Sequence, residues 1–163
     1  MPDIELEDAL HSSAEEVLEK MFFVQPLDEE SRPADEPGPV LAVKLTFEGS
    51  PAGSLTLSVT EKAARQIAAD FLGEDEPGLS SRKVQEVVCE LANMICGSVL
   101  SRVESHTTFR LAAPRLLVAE PWNLDPESSD RRAVYTIQLA NGSLTATVLT
   151  RDELCPTAEK SAS

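Results

Sequence analysis

The stretch Val84–Val103 reads VQEVVCELANMICGSVLSRV, and the rest of the chain must fold around it. It is long enough for about five helical turns at roughly 3.6 residues per turn. At about 100° per residue, its main apolar side chains fall within one sector roughly 80° wide. They are Val84, Val88, Leu91, Ile95 and Val99. The sequence therefore predicts a helix with one buried face.

The opposite face of this predicted helix is polar and contains a glycine. Glu90 and Asn93 are three residues apart, so their side chains are neighbours on a helix. Gly97 follows one turn later, although a glycine inside a helix costs about 0.8–1 kcal/mol relative to alanine. A glycine on an exposed face is explained if another molecule must approach the backbone there. We interpret Glu90, Asn93 and Gly97 as a docking ridge, with Glu86 one turn before it on the same face.

Composition excludes several classes of function. The chain has 163 residues, with 28 Asp plus Glu against 14 Lys plus Arg and a formal net charge of −14. Such a field repels phosphate backbones and anionic lipid surfaces, so we expect no nucleic-acid or membrane partner. Apolar residues make up 42%, which is enough for one domain with a core. No signal peptide is apparent, and no apolar run approaches about 18 residues, which indicates a cytoplasmic protein.

The cysteines are Cys89, Cys96 and Cys155, an odd and sparse set without metal-ligand spacing. Such a set favours a reducing compartment and predicts no metal site. Because Cys89 and Cys96 flank the apolar stripe of the helix, buried thiols are the preferred interpretation. The alternative is a Cys–His nucleophile with His11 or His106, but neither histidine has a recognisable orienting partner in the sequence.

The first half of the chain predicts a helix, a loop and a hairpin. Residues 3–24 place apolar side chains at helical spacing. These side chains are Leu6, Leu10, Val17 and Met21, with Ala14 beside them. Residues 25–39 hold four prolines among acidic side chains and predict a solvated loop. Val40–Phe47 and Gly53–Val59 alternate in strand fashion and predict a hairpin with one buried face.

Capping residues mark the next two helices. Thr60 can cap a short helix over residues 61–72, and Gly73 can stop it. Ser80 or Ser81 can cap the main helix, because serine side chains accept hydrogen bonds from the free amides of a first turn.

The second half predicts edge strands and a second hairpin. Residues 107–121 predict a strand or two around Pro114, which confines pairing there to a sheet edge or a strand start. Strands are predicted at 132–140 and 143–150, joined by the hairpin signal Asn141–Gly142. The expected fold class is therefore α/β (α+β), with two long helices packed on a sheet built from two β-hairpins.

Each half of the chain has a long helix followed by a hairpin, which suggests a pseudo-repeat. Laid over one another, the halves place Glu19 where Glu90 stands and Phe22 where Asn93 stands. If the repeat is real, the first half keeps the architecture and lacks the carboxamide.

No self-sufficient active site is visible, because the sequence has no Gly-rich phosphate loop, zinc pattern or nucleophile elbow. A solvated helix face commonly carries Glu, and this plain explanation covers Glu90. Asn93 is less routine within a helix, because its amide competes for backbone hydrogen bonds. If the protein is an enzyme, its chemistry needs a second protein.

The run ELANMICGSVLS at residues 90–101 resembles the CheX, CheC and FliY phosphatase family of bacterial chemotaxis, and most of all its CheX-like members. That family is recognised by a Glu, two residues and an Asn on an exposed helix, which Glu90 and Asn93 match. The family motif continues after the Asn as Met-Ile-x-Gly, which Met94, Ile95 and Gly97 match.

The resemblance covers about residues 5–150, nearly the whole chain. It implies a single CheX-like domain over 1–154, followed by a polar tail at 155–163. Two positions depart from the family pattern. Glu86 stands where the family often has Asp or Ser, and Pro114 lies closer to the motif than the family's proline does.

The resemblance implies hydrolysis of the phosphoaspartate on a CheY-like response-regulator receiver domain, as part of two-component signalling. Asn93 would orient the attacking water and Glu90 would pair with a receiver lysine, while Glu86 and Gly97 would serve docking. The chain itself would bind no cofactor, and a divalent cation such as Mg²⁺ is expected on the receiver. Family members carry either one or two such Glu–Asn sites, and Phe22 at the position aligned with Asn93 implies a member with one. A homodimer formed through sheet edges is also expected.

Two other functions stay open at this point. A non-catalytic adaptor could bind a receiver domain or a chemotaxis complex through the same helix face. A scaffold domain with an ordinary acidic surface would also fit the composition. An assay of phosphoreceiver decay distinguishes the enzyme from both.

Overall fold

The structure is a computed structural model that describes residues 2–22, 40–49, 52–103, 110–117, 131–139 and 142–151. Within these residues there are three α-helices and six β-strands. The helices are α1 (Pro2–Met21), α2 (Glu61–Leu72) and α3 (Ser81–Val103). The strands are β1 (Val40–Glu48), β2 (Ala52–Thr60), β3 (Arg110–Leu111), β4 (Arg115–Leu117), β5 (Arg131–Leu139) and β6 (Gly142–Arg151).

The described strands form one antiparallel sheet in the order β3-β1-β2-β6-β5, and β4 pairs with β1 on the same edge as β3. The hairpins β1–β2 and β5–β6 join through β2 and β6. Leu55 stands opposite both Leu45 and Val148, so apolar side chains form rows across the sheet. The predicted α+β class with two hairpins and two long helices is confirmed, and α2 is the predicted short helix.

The helices bury the apolar face of this sheet. Helix α1 packs against α3 and β5, and α3 lies against β1. All five residues of the stripe predicted for the main helix are buried. The buried residues of α3 are Val84, Val87, Val88, Leu91, Ala92, Ile95, Cys96, Val99 and Leu100. Since this face is fixed in the core, the opposite face of α3 must point away from it.

The helix ends show which capping predictions are right. The Ser80 hydroxyl accepts a hydrogen bond from the Lys83 amide at 3.2 Å, and α3 therefore begins at Ser81, before the first apolar residue of its stripe. Gly73 ends α2 in the left-handed conformation with φ 69°, and its amide donates to the carbonyl of Ala69 at 2.8 Å.

The capping role predicted for Thr60 is wrong. Thr60 occupies the N-cap position of α2, but its side chain makes no cap hydrogen bond. Its hydroxyl instead accepts from the amide of Ser143 at 3.2 Å, which ties β2 to the start of β6. The neighbouring Gly142 has φ 149°, and a Cβ there would lie 1.8 Å from the Thr60 hydroxyl oxygen. Glycine is therefore required at this corner by both conformation and space.

The end of α1 also differs from its prediction. Met21 was expected in the buried stripe but is 46% exposed. The helix ends at Met21, and the amide of Phe22 donates to the carbonyl of Val17 at 3.3 Å. This turn carries Phe22 into the core, where its ring stacks on Phe71 with centroids 4.4 Å apart.

The predicted loop at 25–39 and tail at 155–163 lie outside the described residues, as do Cys155 and His106. By length and composition α3 could cross a membrane, and half of its apolar window is buried inside the fold. That burial is the pattern of a core helix in a globular protein.

Candidate functional site

The outer face of α3 and the edge strand β4 enclose an open groove of about 370 Å³. The strand reaches this position because β4 pairs with β1, over which α3 packs. The groove is lined by Arg82, Gln85, Glu86, Cys89, Glu90, Asn93, Pro114, Arg115 and Leu116.

The groove contains three of the four site residues predicted from the sequence, namely Glu86, Glu90 and Asn93. Helical spacing brings them together, because Glu90 lies four residues after Glu86 and three before Asn93. The buried positions Leu91 and Ile95 anchor the opposite side of the helix. Glu90 is exposed and Asn93 is half-buried, so the rigid helix presents both side chains to the groove.

Gly97 does not line the groove and lies one turn beyond Asn93 on α3. A Cβ added at Gly97 would meet no atom of this chain within 4 Å. Packing within the fold therefore does not require a glycine here. The docking-ridge interpretation supplies a reason, which is the approach of another molecule.

Ion pairing in the groove is sparse. Arg82 Nε lies 3.4 Å from Glu86 Oε2, with side chains 86% and 64% exposed. Exposed pairs of this kind contribute little to stability. Within the described part of the chain, neither Glu90 nor Asn93 has a side-chain hydrogen bond or ion pair. Both groups are therefore available to a partner.

Sequence reasoning missed the wall that faces α3. Pro114 was recognised as a marker of a sheet edge, but nothing indicated that Arg115 and Leu116 would line the same groove as Asn93. Their position follows from the pairing of Leu116 with Val43 in β1, a contact between residues distant in sequence. The spacing of Arg82, four residues before Glu86, was a signal that could have placed it on the groove.

The thiols of Cys89 and Cys96 are not suited to act as nucleophiles. Burial, together with the nearby charge of Glu86, raises the pKa of Cys89, and burial raises the pKa of Cys96 to about 12. A raised pKa keeps a cysteine in its unreactive thiol form. His11 cannot assist Cys89, because its Nε2 lies 3.1 Å from a Glu15 carboxylate oxygen and its ring contacts Tyr135 on β5. That strand is at the edge of the sheet opposite β4.

The residues of the first half that the structure describes, 2–22, 40–49 and 52 onwards, present no equivalent site. Glu19, aligned with Glu90, is exposed on α1, but Phe22, aligned with Asn93, is fully buried against Phe71. Within the ranges described here, no group of three or more His, Cys, Asp or Glu side chains could hold a metal ion.

The family model described as chemotaxis phosphatase CheX matches residues 41–138. The chain belongs to the CheX family. The matched segment contains all of α3 and β4 and so the entire groove, whereas α1 precedes it.

Solved structures with CheX-type folds agree with this assignment. A chemotaxis protein CheX from Vibrio vulnificus is 22% identical over 90% of this chain and 97% of its own, with a TM-score of 0.68. A CheC-like protein from Shewanella oneidensis is 19% identical over 91% and 99%, also with a TM-score of 0.68. CheX from Borrelia burgdorferi, solved as a CheX–CheY–BeF₃–Mg²⁺ complex, is 17% identical over 88% and 96%, with a TM-score of 0.66. No curated protein matches the chain in sequence. At these identities the structural likeness establishes the fold.

Proposed function

We propose that this member of the CheX family hydrolyses the phosphoaspartate of a CheY-like receiver domain, with Asn93 orienting the attacking water and Glu90 pairing with a receiver lysine. The observation that carries the proposal is the Glu90–Asn93 pair, held on a core-anchored helix beside an open groove and unengaged by the described residues. The Borrelia burgdorferi relative, solved with CheY, supports a receiver as the partner.

The reaction needs little covalent help from this chain. The water oxygen forms a bond to phosphorus as the bond from phosphorus to the aspartyl oxygen breaks. The products are inorganic phosphate and a free aspartate carboxylate, and the proton lost from water passes to phosphate or solvent. A carboxylate is a good leaving group, so the principal requirement is a correctly placed water. Catalysis of phosphoryl transfer depends mostly on such positioning and on electrostatic stabilisation.

Asn93 has the two functions that this placement requires. Its amide oxygen accepts a hydrogen bond from the water, and its amide nitrogen donates towards a phosphoryl oxygen. The side chain stays neutral at every working pH, so it adds no repulsion against the anionic phosphoryl group. A divalent cation such as Mg²⁺, expected on the receiver, offsets the phosphoryl charge, so the proposed reaction requires no cofactor on this chain.

Glu90 fixes the register of the two proteins. It lies three residues before Asn93, a rise of about 4.5 Å along the helix. Its exposed carboxylate can pair with a receiver lysine without first breaking an ion pair to a described residue. Charged pairs at an interface raise the encounter rate and select the orientation of the complex.

Glu86 and Gly97 mark the two ends of the contact on α3. They are separated by about 16 Å along the helix axis. Glu86 contributes charge at one end, and Gly97 leaves room for a receiver loop at the other.

The test is the decay of a radiolabelled CheY-type receiver domain in the presence of wild-type protein and Asn93→Ala. Loss of the positioned water should slow the accelerated decay by about 100- to 10,000-fold, or about 3–5 kcal/mol, while binding survives. Gln66→Ala, which removes a half-buried carboxamide from α2, away from the groove and the sheet edges, is the matched control and should leave the rate unchanged. Decay at the wild-type rate with Asn93→Ala would remove Asn93 from the mechanism. Binding without any acceleration by the wild type would make the protein an adaptor.

We also propose that the protein is a cytoplasmic homodimer formed through sheet edges. Among the described strands, β5 pairs only with β6 and leaves its other edge open. Light scattering of the purified protein measures the assembly state, and a monomer at all working concentrations would refute the dimer.

A further inference from the structure

The residues that line the groove sort by burial and by charge. The charged ones are exposed, and they are Arg82, Glu86, Glu90 and Arg115. The half-buried ones are all neutral, and they are Gln85, Cys89, Asn93, Pro114 and Leu116. We name these five neutral residues the groove floor. Charge therefore lies at the exposed surface around the groove, while its deeper surface is neutral and partly apolar.

Helix α3 supplies one side of the groove floor. Gln85, Cys89 and Asn93 follow one another at intervals of four residues, which places them in one row along the helix at steps of about 6 Å. Cys89 packs against the core. Burial, together with the nearby charge of Glu86, raises the pKa of Cys89, so its sulfur is a neutral thiol at pH 7. An apolar surface therefore begins one helical turn from Asn93.

Strand β4 supplies the other side of the groove floor. Leu116 stands opposite Val43, a fully buried core residue of β1, so Leu116 faces the helices as Val43 does. Arg115 stands opposite Lys44, and the alternation of side chains along a strand places it on the other face of the sheet. The side chain that β4 turns towards α3 is therefore an apolar one, and it is only half-buried.

We infer that the groove floor binds one large apolar side chain, aromatic or branched aliphatic, which the receiver presents beside its phosphorylated aspartate. Cys89 and Leu116 then determine which receivers fit. The inference rests on the proposed function and names a recognition element of the same site. A receiver that brings its phosphoryl group to Asn93 must cover this surface, because Asn93 itself belongs to the groove floor. Cys89 and Leu116 are specificity-determining residues that do not touch the reacting atoms.

The size and chemistry of the groove favour such an occupant. Its volume of about 370 Å³ is near the lower end of the range for ligand pockets, roughly 300–1,000 Å³, and suits a single large side chain. Aromatic side chains bury about 150–250 Å² each and commonly anchor interfaces from pockets of this kind. A charged side chain would lose its hydration against the neutral floor without gaining a counter-ion there. An apolar side chain instead removes the exposed parts of Cys89 and Leu116 from water.

The experiment measures KM and kcat for a radiolabelled CheY-type receiver with Leu116→Ala and Cys89→Phe, at low and high salt. Because Leu116 is already half-buried, docking buries about half of its side chain, and its truncation should raise KM by about tenfold and leave kcat unchanged. Cys89→Phe places a ring in the groove itself and should raise KM by at least about tenfold. Both increases should persist at high salt, since salt screens charges and not apolar contacts.

Two further variants are the controls. Leu116→Met keeps the volume of the side chain and should retain most of the wild-type KM. Leu72→Ala is the matched control, an equal truncation at a partly exposed leucine of α2, outside the groove and away from the sheet edges, and should leave KM unchanged. Urea denaturation shows which variants are folded, and either groove variant decides alone if the other does not fold.

Groove variants whose KM matches that of Leu72→Ala would overturn the inference and leave the phosphatase function standing. An increase in KM that disappears at high salt would also overturn it. Failure of the wild type to accelerate decay would refute the proposed function itself. Equilibrium binding of the receiver to the same proteins would then decide the inference, with equal affinities, or no binding by the wild type, counting against it.

Discussion

Replacing Gly97 by alanine separates the needs of the fold from the needs of docking. The added methyl group would meet no atom of this chain within 4 Å, and Gly97 does not have a positive φ. Alanine is favoured over glycine inside a helix by about 0.8–1 kcal/mol. The free energy of unfolding of Gly97→Ala should therefore rise by about that amount, which corresponds to about 2–4 °C in Tm for a chain of this size.

The same methyl group should reduce activity. If a receiver loop lies against the bare backbone at Gly97, a Cβ must push it outwards by about 1 Å or more. The displacement acts about 6 Å along the helix from Asn93, so it tilts the phosphoryl group away from the positioned water. A misplacement of 1 Å can cost about 100-fold in rate. We expect a variant that is more stable than the wild type and between about 10- and 100-fold less active.

The assay pairs urea or thermal denaturation with phosphoreceiver decay, and Gly78→Ala is the matched control. Gly78 also has open space around its Cα and is exposed in the turn Glu76–Gly78, away from the groove. Gly78→Ala should leave the decay rate unchanged. Wild-type kinetics for Gly97→Ala would refute the docking role of the glycine. A loss of stability would instead refute the reasoning about open space on α3.

Three further predictions follow from other parts of the chain. Glu90→Ala should weaken the complex with the receiver, most strongly at low salt. Glu90→Gln should recover little of the lost affinity, because the receiver lysine requires a charged partner. Wild-type affinity of both variants across a salt titration would refute the pairing. Phe22→Asn in the Asn93→Ala background should restore no phosphatase activity. It should lower the free energy of unfolding, measured by urea denaturation, by about 3–5 kcal/mol, because it removes a buried ring stacked on Phe71. Recovered phosphoreceiver decay would reveal a second site. Since the pKa of Cys96 is about 12 in the folded protein, the thiol ionises first in the unfolded chain, and stability falls as pH rises above about 8.5. Cys96→Ala should lose less stability than the wild type between about pH 8 and about pH 10, and equal losses would contradict this origin.

The features that sequence reasoning predicted well are those set by local patterns. The apolar stripe of α3 follows from helical period alone, and each of its predicted positions is buried. The edge position of the strands around Pro114 follows from the missing amide of proline. The second hairpin follows from the Asn141–Gly142 signal, although Gly142 is the first residue of β6 and pairs with Leu139, where the prediction placed it in the connecting turn.

The features that were missed depend on contacts between residues far apart in the chain. The Thr60 hydroxyl accepts a hydrogen bond from the amide of Ser143, which lies 83 residues later. No local sequence pattern distinguishes this hydrogen bond from helix capping. Strand β4 lines the groove only because it pairs with β1, with Leu116 opposite Val43. Phe22 was placed by alignment on an exposed ridge, but the end of α1 turns it into the core.

The groove is also where this chain departs from the local rules that it obeys elsewhere. Asn93 and Gly97 are poor residues for a helix interior. Proteins tolerate such conflicts mainly at functional sites, because a partner resolves what the fold leaves unfavourable. The aligned position in the first half has no such conflict, since Phe22 adds a buried aromatic contact to the core. The first half therefore contributes to stability at the position where the second half carries Asn93, and the described residues of the first half offer no counterpart to the Asn93 groove.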